Sequence, residues 1–226
     1  MSYSSVQDLF ISIPQKVLLV GNGDIKNMGS IIDSYEYVIR FNDFQLDGHE
    51  ENAGTKISAL SLHCSDFSHK HTKYLEKNYI KYSGSVPIFT TSPKYPNSKD
   101  DIIHIQSGTK LLDVSLPLMI SPTFRLSSGG TLALNLSLFF NKEVHLVGFN
   151  FFLKSGHYYD KDFTNEEFWK KIMGTDVVEH DGEFEKRILT NFKNIHIIDE
   201  YENSCVFTCK GNKFKNRKQK YKIVGW

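Results

Sequence analysis

Short apolar runs alternate with polar, glycine-containing segments along most of the chain, and the clearest example lies near its amino end. Residues 17–20 are four apolar side chains in a row, followed by Gly21-Asn22-Gly23. This pattern is typical of a buried strand that opens into a tight turn, since glycine tolerates the backbone angles and close contacts of such a turn. Apolar residues at helical spacing over 25–35 and a second strand over 36–41 complete a predicted βαβ unit.

The same alternation continues through the rest of the chain. Residues 43–55 are polar, contain glycine and are predicted to form a loop. Further elements are predicted as strands over 56–63, 86–91, 102–106 and 143–149, and as helices over 70–82, 128–140 and 180–192. Strands that alternate with helices favour an α/β fold, here a single Rossmann-like domain in which helices flank a mostly parallel sheet.

Two asparagines, Asn22 and Asn42, directly follow the first two predicted strands. In an open α/β sheet, the carboxyl ends of the strands line the crevice in which a nucleotide binds. An asparagine amide offers both a donor and an acceptor, and the small Gly21 and Gly23 let a phosphate or sugar approach main-chain N–H groups. This edge of the sheet is therefore predicted to bind a nucleotide.

A second glycine-containing segment, Ser127-Ser128-Gly129-Gly130, precedes a helix that is apolar nearly all round. At the N-terminus of a helix, N–H groups without intrahelical partners and the helix dipole favour an anion. One interpretation is a site for a phosphate or a carboxylate. The other is that Ser127 or Ser128 merely caps a helix buried in the core.

Two histidines, His157 and His180, lie in polar surroundings rather than on apolar faces. A neutral imidazole can deprotonate a hydroxyl, and a protonated one can stabilise a departing phosphate, so two histidines can divide these roles. In the alternative interpretation, His180 only flanks the start of the last predicted helix, while Tyr158 and Tyr159 pack a lid.

Composition narrows the class of protein. The 226 residues, of which 40% are hydrophobic, suffice for one well-packed domain. The sequence contains neither a run of about 18–20 apolar residues nor a signal peptide. Its three cysteines match no zinc motif. We therefore expect a cytoplasmic location, in which cysteines stay reduced.

The formal net charge of +1 hides a basic segment, Lys210–Trp226, which has seven basic and no acidic residues. We interpret residues 1–209 as the folded domain and residues 210–226 as a separate tail. The tail suits peripheral contact with an anionic membrane, at about 1 kcal/mol per basic residue. The alternatives are a solvated terminus or an edge strand protected by lysines. No nucleic-acid partner is expected.

Taken in order, these segments resemble the sialyltransferases of glycosyltransferase family 29. Residues 16–63 resemble the family's large sialylmotif and residues 128–149 its small one. The residues that carry these two resemblances are Val20–Gly23, Ile32–Tyr35, Val38–Asn42, Gly54–Lys56, Ser128–Gly130, Glu143–Val144 and Gly148–Phe149. His157–Asp160 resembles the third motif, and His180 with Glu185 fits the very small motif.

The resemblance implies inverting transfer of sialic acid from the donor CMP-sialic acid to a hydroxyl of a glycan or glycolipid, on a variant of the GT-A fold. It implies no cofactor and no metal. His180 would be the general base, and His157 would support the departing CMP phosphate. The substrate-binding residues implied are Asn22, Asn42, Gly21, Gly23, Ser128, Gly129, Gly130, Tyr158 and Tyr159.

Departures from the family pattern place the chain outside the usual Golgi layout. The disulfide that joins the large and small motifs in animal members has no cysteine at either position here, and no anchor or stem is recognised. Gly129 also replaces the threonine that often follows the motif serine. A bacterial or viral enzyme that acts in the cytoplasm, peripheral to the inner face of the membrane, fits these differences.

Three other functions stay open at the level of the sequence. Transfer of another CMP-activated ulosonic acid, such as Kdo, would use the same nucleotide contacts. A non-catalytic protein would keep the pocket only to bind a nucleotide or a glycan. A nucleotide-dependent oxidoreductase is less well supported, because the turn at residues 21–26 lacks the third glycine of the dinucleotide fingerprint.

Overall fold

The structure is a computed structural model, and the statements below concern the residues that it describes. These are residues 6–62, 77–78, 81–82, 84–90, 112–113, 126–151, 153, 157–159 and 181–198. Their strands are β1 (Lys16–Val20), β2 (Val38–Phe41), β3 (Ala59–Leu62), β4 (Ile88–Thr90), β5 (Leu112–Asp113), β6 (Glu143–Val147) and β7 (Ile195–Ile197). Their helices are α1 (Val6–Ser12), α2 (Gly29–Ser34), α3 (Glu50–Ala53), α4 (Ser128–Phe139) and α5 (Gly182–Thr190).

The seven strands form one sheet in the order β5-β4-β3-β2-β1-β6-β7. All six pairings between neighbours are parallel. The chain adds strands on one side of β1 as far as β5 and then returns to add β6 on the other side. The strand order therefore reverses between β1 and β6, and in α/β sheets ligands bind beside the carboxyl ends of the strands at such a switch point.

Helices cover both faces of the sheet, as the sequence predicts. Successive residues of β1 point to opposite faces, so Leu18 lies in one apolar cluster and Leu19 in the other. The Leu19 cluster contains side chains of α1, α4 and α5, and the Leu18 cluster contains side chains of α2 and α3. The predicted α/β fold with a parallel sheet is thus confirmed.

Several predicted boundaries are wrong. Residues 43–55 are not all loop, because α3 lies within them. The third strand begins at Ala59 rather than at residue 56, since the Lys56 N–H donates to Asp33 and the Lys56 carbonyl accepts from Arg40, which removes both groups from the ladder. The first predicted helix is confined to Gly29–Ser34, after a left-handed Asn27.

The sequence does not predict α1, β5 or β7. The strand predicted over 102–106, the three cysteines and the basic tail lie outside the described residues, as does most of the helix predicted over 70–82, of which residues 77–78 and 81–82 have helical backbone. Among the described helices, none is both long and apolar enough to cross a bilayer.

Candidate active site

The turn after β1 is fastened to the end of β6. The Gly21 N–H donates to the Val147 carbonyl at 2.8 Å, and the Gly23 N–H donates to the Gly148 carbonyl at 2.8 Å. A Cβ atom at Gly21 would lie 2.5 Å from the Gly148 oxygen, and one at Gly23 would lie 2.6 Å from it. Both glycines are therefore required by backbone contact, and the turn spans the switch point of the sheet.

Asn22, in the middle of this turn, has its amide orientation fixed by two acceptors. Its Nδ2 group donates to the Phe41 carbonyl at 3.1 Å and to Asp43 Oδ1 at 3.2 Å. The opposite orientation would place an oxygen against both acceptors. Asn22 Oδ1 is buried and has no donor within the described part of the chain. Because both N–H groups of the side-chain amide donate to protein acceptors, the Asn22 side chain can offer a ligand only the acceptor Oδ1.

Asn42 directly follows β2 and turns the chain with a left-handed backbone, φ +54°. Asparagine tolerates this conformation better than most residues that carry a Cβ. The Asn42 N–H donates to the Ser61 carbonyl at 3.0 Å, and the Asn42 carbonyl accepts from Asn78 Nδ2 at 2.9 Å. Asn42 is thus held at the carboxyl edge of the sheet, in the segment that also binds the Asn22 amide.

Tyr158 links the His157–Asp160 segment to the turn that contains Asn22. Its N–H donates to the Asn22 carbonyl at 3.1 Å. Its hydroxyl donates to the Gln45 carbonyl and accepts from the Gln45 N–H at 3.0 Å. Burial raises the pKa of Tyr158 to about 12, although the nearby Arg40 charge acts in the opposite direction. Tyr158 therefore stays protonated, and its hydrogen bonds connect the Asn22 turn to Gln45.

His157 directly precedes Tyr158 in the chain. The residue is half-buried, and its ring centroid lies 5.0 Å from that of Tyr159. Tyr159 in turn packs edge-on against Tyr158 at 4.9 Å. The structure thus brings three predicted site residues, His157, Tyr158 and Tyr159, to the same edge of the sheet as Asn22.

The N-terminus of α4 reaches the same edge, since a helix that connects parallel strands runs antiparallel to them. Ser127 is the N-cap, and its Oγ accepts from the Gly130 N–H at 3.0 Å. A Cβ at Gly129 would lie 2.4 Å from the Phe149 ring. Gly129 therefore packs onto the segment that follows β6, and Ser128 is the first residue of the helix beside it.

Glu185 of α5 binds the same helix terminus. One carboxylate oxygen accepts from the Ser127 N–H at 2.5 Å, and the other accepts from Ser127 Oγ at 2.6 Å. The residue is only 2% exposed. A Cβ at Gly130 would lie 2.7 Å from the carboxyl carbon of Glu185. The carboxylate therefore joins α5 to the start of α4 and places an anion at the positive end of the helix dipole.

The sequence places Glu185 in the segment that fits the very small motif but predicts no contact for it, although a signal was present. The buried residues of α5 are Gly182, Glu185 and Leu189, at the spacing of one helical face. An acidic residue on that face has to find a buried hydrogen-bonding partner.

Sequence reasoning also missed Arg40, which is completely buried in β2. Its Nε donates to the Lys56 carbonyl at 2.9 Å and one terminal nitrogen donates to the Ala53 carbonyl at 2.6 Å. Burial lowers the pKa of Arg40, although the hydroxyl of Tyr158 and the carboxylate of Asp33 oppose this effect. Arg40 thus holds the segment after α3 against the sheet.

The predicted base, His180, lies outside the described residues. The residues that follow it begin helix α5. Asp181 caps α5 by accepting from the Phe184 N–H at 2.9 Å. A Cβ at Gly182 would lie 1.6 Å from the carbonyl oxygen of Phe151, which has a left-handed φ of +52°. The start of α5 is therefore fixed against the segment that follows β6.

The comparison with known families gives a match at the amino end. Residues 15–92 match the model of glycosyltransferase family 29 (sialyltransferase). This region contains β1 to β4 and both asparagines of the predicted nucleotide site.

Two curated relatives extend the match. The chain is 25% identical over 272 aligned positions to alpha-N-acetylgalactosaminide alpha-2,6-sialyltransferase 1 of Gallus gallus. This alignment covers 90% of this chain and 46% of the relative. It is 42% identical over 55 positions to type 2 lactosamine alpha-2,3-sialyltransferase of Mus musculus, covering 23% of this chain and 17% of the relative. The chain thus spans less than half the length of the relatives it matches.

The fold also resembles a solved structure. The crystal structure of the monofunctional alpha-2,3-sialyltransferase Cst-I from Campylobacter jejuni superposes with a TM-score of 0.53 at 19% identity, over 82% of this chain and 76% of that chain. At this identity the likeness concerns the fold alone. The resemblance to the sialyltransferases of glycosyltransferase family 29 is thus confirmed in sequence over residues 15–92.

Proposed function

We propose that the protein transfers sialic acid from CMP-sialic acid to a hydroxyl of a glycan or glycolipid. One observation carries this proposal. The Asn22 turn, the His157–Tyr159 segment and the start of α4 meet at the carboxyl edge of the sheet, where Asn22 Oδ1 is a buried acceptor without a donor in the described chain. A buried acceptor of this kind is costly unless a ligand supplies the donor.

CMP has donors of the required kind, namely the amino group of cytosine and the ribose hydroxyls. In our proposal Asn22 and Asn42 contact the CMP moiety. Gly21 and Gly23 do not offer it their N–H groups, which donate to the Val147 and Gly148 carbonyls, but hold the turn that presents Asn22. Ser128, Gly129 and Gly130 lie next to the anionic part of the donor. Because Glu185 already accepts from the Ser127 N–H, an anion at this terminus has to approach the N–H groups of the residues that follow.

In the proposed reaction, the acceptor hydroxyl loses its proton to the neutral imidazole of His180 as its oxygen attacks the anomeric carbon of the donor. The bond from that carbon to the CMP phosphate breaks, the electron pair leaves with the phosphate, and the configuration inverts. His157, held beside Tyr158 and Tyr159, stabilises or protonates the departing phosphate. These groups and main-chain N–H donors supply the electrostatic stabilisation, so that no metal or cofactor is needed.

The test is transfer by the His180→Ala variant. General bases contribute roughly 10²- to 10⁴-fold to rates, so we expect kcat to fall within that range. Calorimetric CMP binding should change little, because His180 acts on the acceptor. The control is His71→Ala, which lies outside all four motifs. Transfer at the wild-type rate by His180→Ala would refute the role of this base.

Two further assays separate the alternatives. With CMP-sialic acid and CMP-Kdo supplied in parallel, faster transfer of Kdo would make a different ulosonic acid the substrate. Wild-type protein that binds CMP but transfers neither sugar would be a binding protein. Activity in EDTA is expected to equal that in buffer, whereas a loss that Mg²⁺ restores would contradict the metal-independent mechanism.

A further inference from the structure

The strand pattern brings a carboxylate and two imidazoles to one face of the sheet. Glu143 and His145 are two residues apart in β6, so both side chains point to the same face. His196 of β7 is the register partner of His145 across the parallel pair. Three side chains of types that commonly bind metals thus lie on the face covered by α2. None of the three has a role in the proposed transfer.

The distances suit a metal ion. His145 Nε2 lies 2.8 Å from Glu143 Oε1, and the ring centroids of His145 and His196 are 5.0 Å apart. One ligand atom from each of the three residues lies within 4.8 Å of the other two. The ligand atoms of a tetrahedral zinc ion, bound at about 2.0–2.2 Å, are roughly 3.3–3.6 Å apart. Small side-chain rotations would bring the three ligand atoms from within 4.8 Å of one another to the separation found around zinc. His196 is exposed and can make such a rotation.

Tyr35 holds the central ligand in a suitable orientation. Its hydroxyl lies 2.6 Å from His145 Nδ1, and the His145 side chain is only 13% exposed. Metal-binding histidines generally use one ring nitrogen for the ion while the other is held by a hydrogen bond, which fixes the tautomer. The Tyr35 hydroxyl can accept a hydrogen bond from Nδ1–H, and this tautomer leaves the lone pair of Nε2 for a metal.

We propose that Glu143, His145 and His196 bind one Zn²⁺ ion per chain, with water in the fourth position. Two imidazoles and a carboxylate are a ligand set that zinc accepts. At present the Lys16 ammonium lies 3.2 Å from Glu143 Oε1. It is the cation that zinc would displace, and because its side chain is 55% exposed it can swing into solvent.

The ion would stabilise the fold and take no part in the proposed transfer. Strand β7 is short and lies at the end of the sheet, so a metal shared by His145 and His196 would join it to β6. Helix α5 leads directly into β7 and carries Glu185, which holds the start of α4. Zinc is therefore expected to stabilise the last part of the described fold without taking part in sugar transfer.

The proposal is tested by titrating the purified full chain, treated with EDTA and then dialysed, with ZnCl₂ by calorimetry and by thermal unfolding. We expect one strong site and a rise in Tm of a few degrees, because ligand that binds only the native state stabilises it. In His196→Ala, which removes an exposed ligand, binding should weaken at least tenfold and the Tm shift should disappear. Co²⁺ should give a visible absorption band in the wild type that this variant lacks.

Two further variants distinguish coordination from a general effect on folding. Lys16→Met removes the competing ammonium and should tighten zinc binding severalfold. Tyr35→Phe removes the hydrogen bond to His145 and should weaken it about tenfold. Unchanged zinc affinity in His196→Ala, or no saturable binding by the wild type, would overturn the site. Neither result affects the proposed transfer, which is measured separately in EDTA.

Discussion

The carboxylate of Glu185 offers the sharpest test of how the site is held together. Glu185→Gln keeps the shape of the side chain but removes its charge, so that only one of its two terminal atoms can still accept a hydrogen bond. In the wild type both atoms accept from Ser127, from its N–H at 2.5 Å and from its hydroxyl at 2.6 Å. The substitution therefore removes one bond and turns the other into a bond between neutral groups.

The expected cost follows from three contributions. A hydrogen bond to a charged group contributes about 1.5–3 kcal/mol, against about 0.5–1.5 kcal/mol for a neutral one. The charge at the N-terminus of α4 adds roughly 0.3–2 kcal/mol, and the upper part of this range applies to a site that is 2% exposed. The amide keeps part of the first contribution. We expect Glu185→Gln to lower the free energy of unfolding by about 2–3 kcal/mol.

The assay is thermal and urea unfolding of both proteins at pH 7. For a chain of 226 residues, each kcal/mol corresponds to about 2–4 °C in Tm, so the expected decrease is roughly 4–12 °C. Glu183→Gln is the matched control, because Glu183 lies in the same helical turn but is exposed. It should change stability by less than about 0.5 kcal/mol.

A second substitution checks that the contact itself is responsible. Gly130→Ala pushes a methyl group to 2.7 Å from the carboxyl carbon of Glu185 and should be destabilising in the wild type. Combined with Glu185→Ala, it should cost much less than the sum of the two single changes, because the clash has gone. Equal stability of Glu185→Gln and the wild type would refute the reasoning.

Two further predictions concern pH. Burial alone would raise the pKa of Asp33, but hydrogen bonds from the N–H groups of Lys56 and Thr55 outweigh it and lower the pKa below its ordinary value. The stability that Asp33 contributes is thus present above about pH 4 and lost as the pH falls through its native pKa, so urea unfolding of Asp33→Asn should depend less steeply on pH in that range. Burial raises the pKa of Tyr158 to about 12, so its contribution is complete below pH 10 and lost between pH 10 and 12. Burial also raises the pKa of Tyr35 to about 12, so absorbance at 295 nm should show one late-titrating tyrosine fewer in Tyr158→Phe than in the wild type. An unchanged number of late-titrating tyrosines would contradict the burial of Tyr158.

The centre of the sheet was predictable because its sequence signal is local. Four apolar residues followed by two glycines specify a buried strand and its turn, and β1 is found there. Strand β7 has only three residues, in which His196 alternates with two isoleucines, and this alternation is too short to predict a strand. It exists because β6 offers it a partner, which is information that the local sequence does not contain.

The candidate site was predictable in position but not in detail. The sequence places Asn22 at the end of a strand, but only the structure shows that Phe41 and Asp43 use both of its N–H groups. Similarly, Ser127 is recognisable as a helix cap, whereas its bonds to Glu185 join residues far apart in the chain. Long-range pairing of polar groups decides which atoms face a ligand.

The central position of β1 affects the order in which the protein can assemble during synthesis. One side of β1 pairs with β2, which is synthesised soon afterwards. The other side pairs with β6, so Val17 has no strand partner on that side until Val144 has been synthesised. Until then the nascent chain has an open, apolar strand edge, which is prone to pair with other chains. The N–H groups of Gly21 and Gly23 also lack their carbonyl partners until Val147 and Gly148 are made. The segment around Asn22 is therefore translated before its partners, and the proposed nucleotide site is complete only after the second half of the sheet has formed.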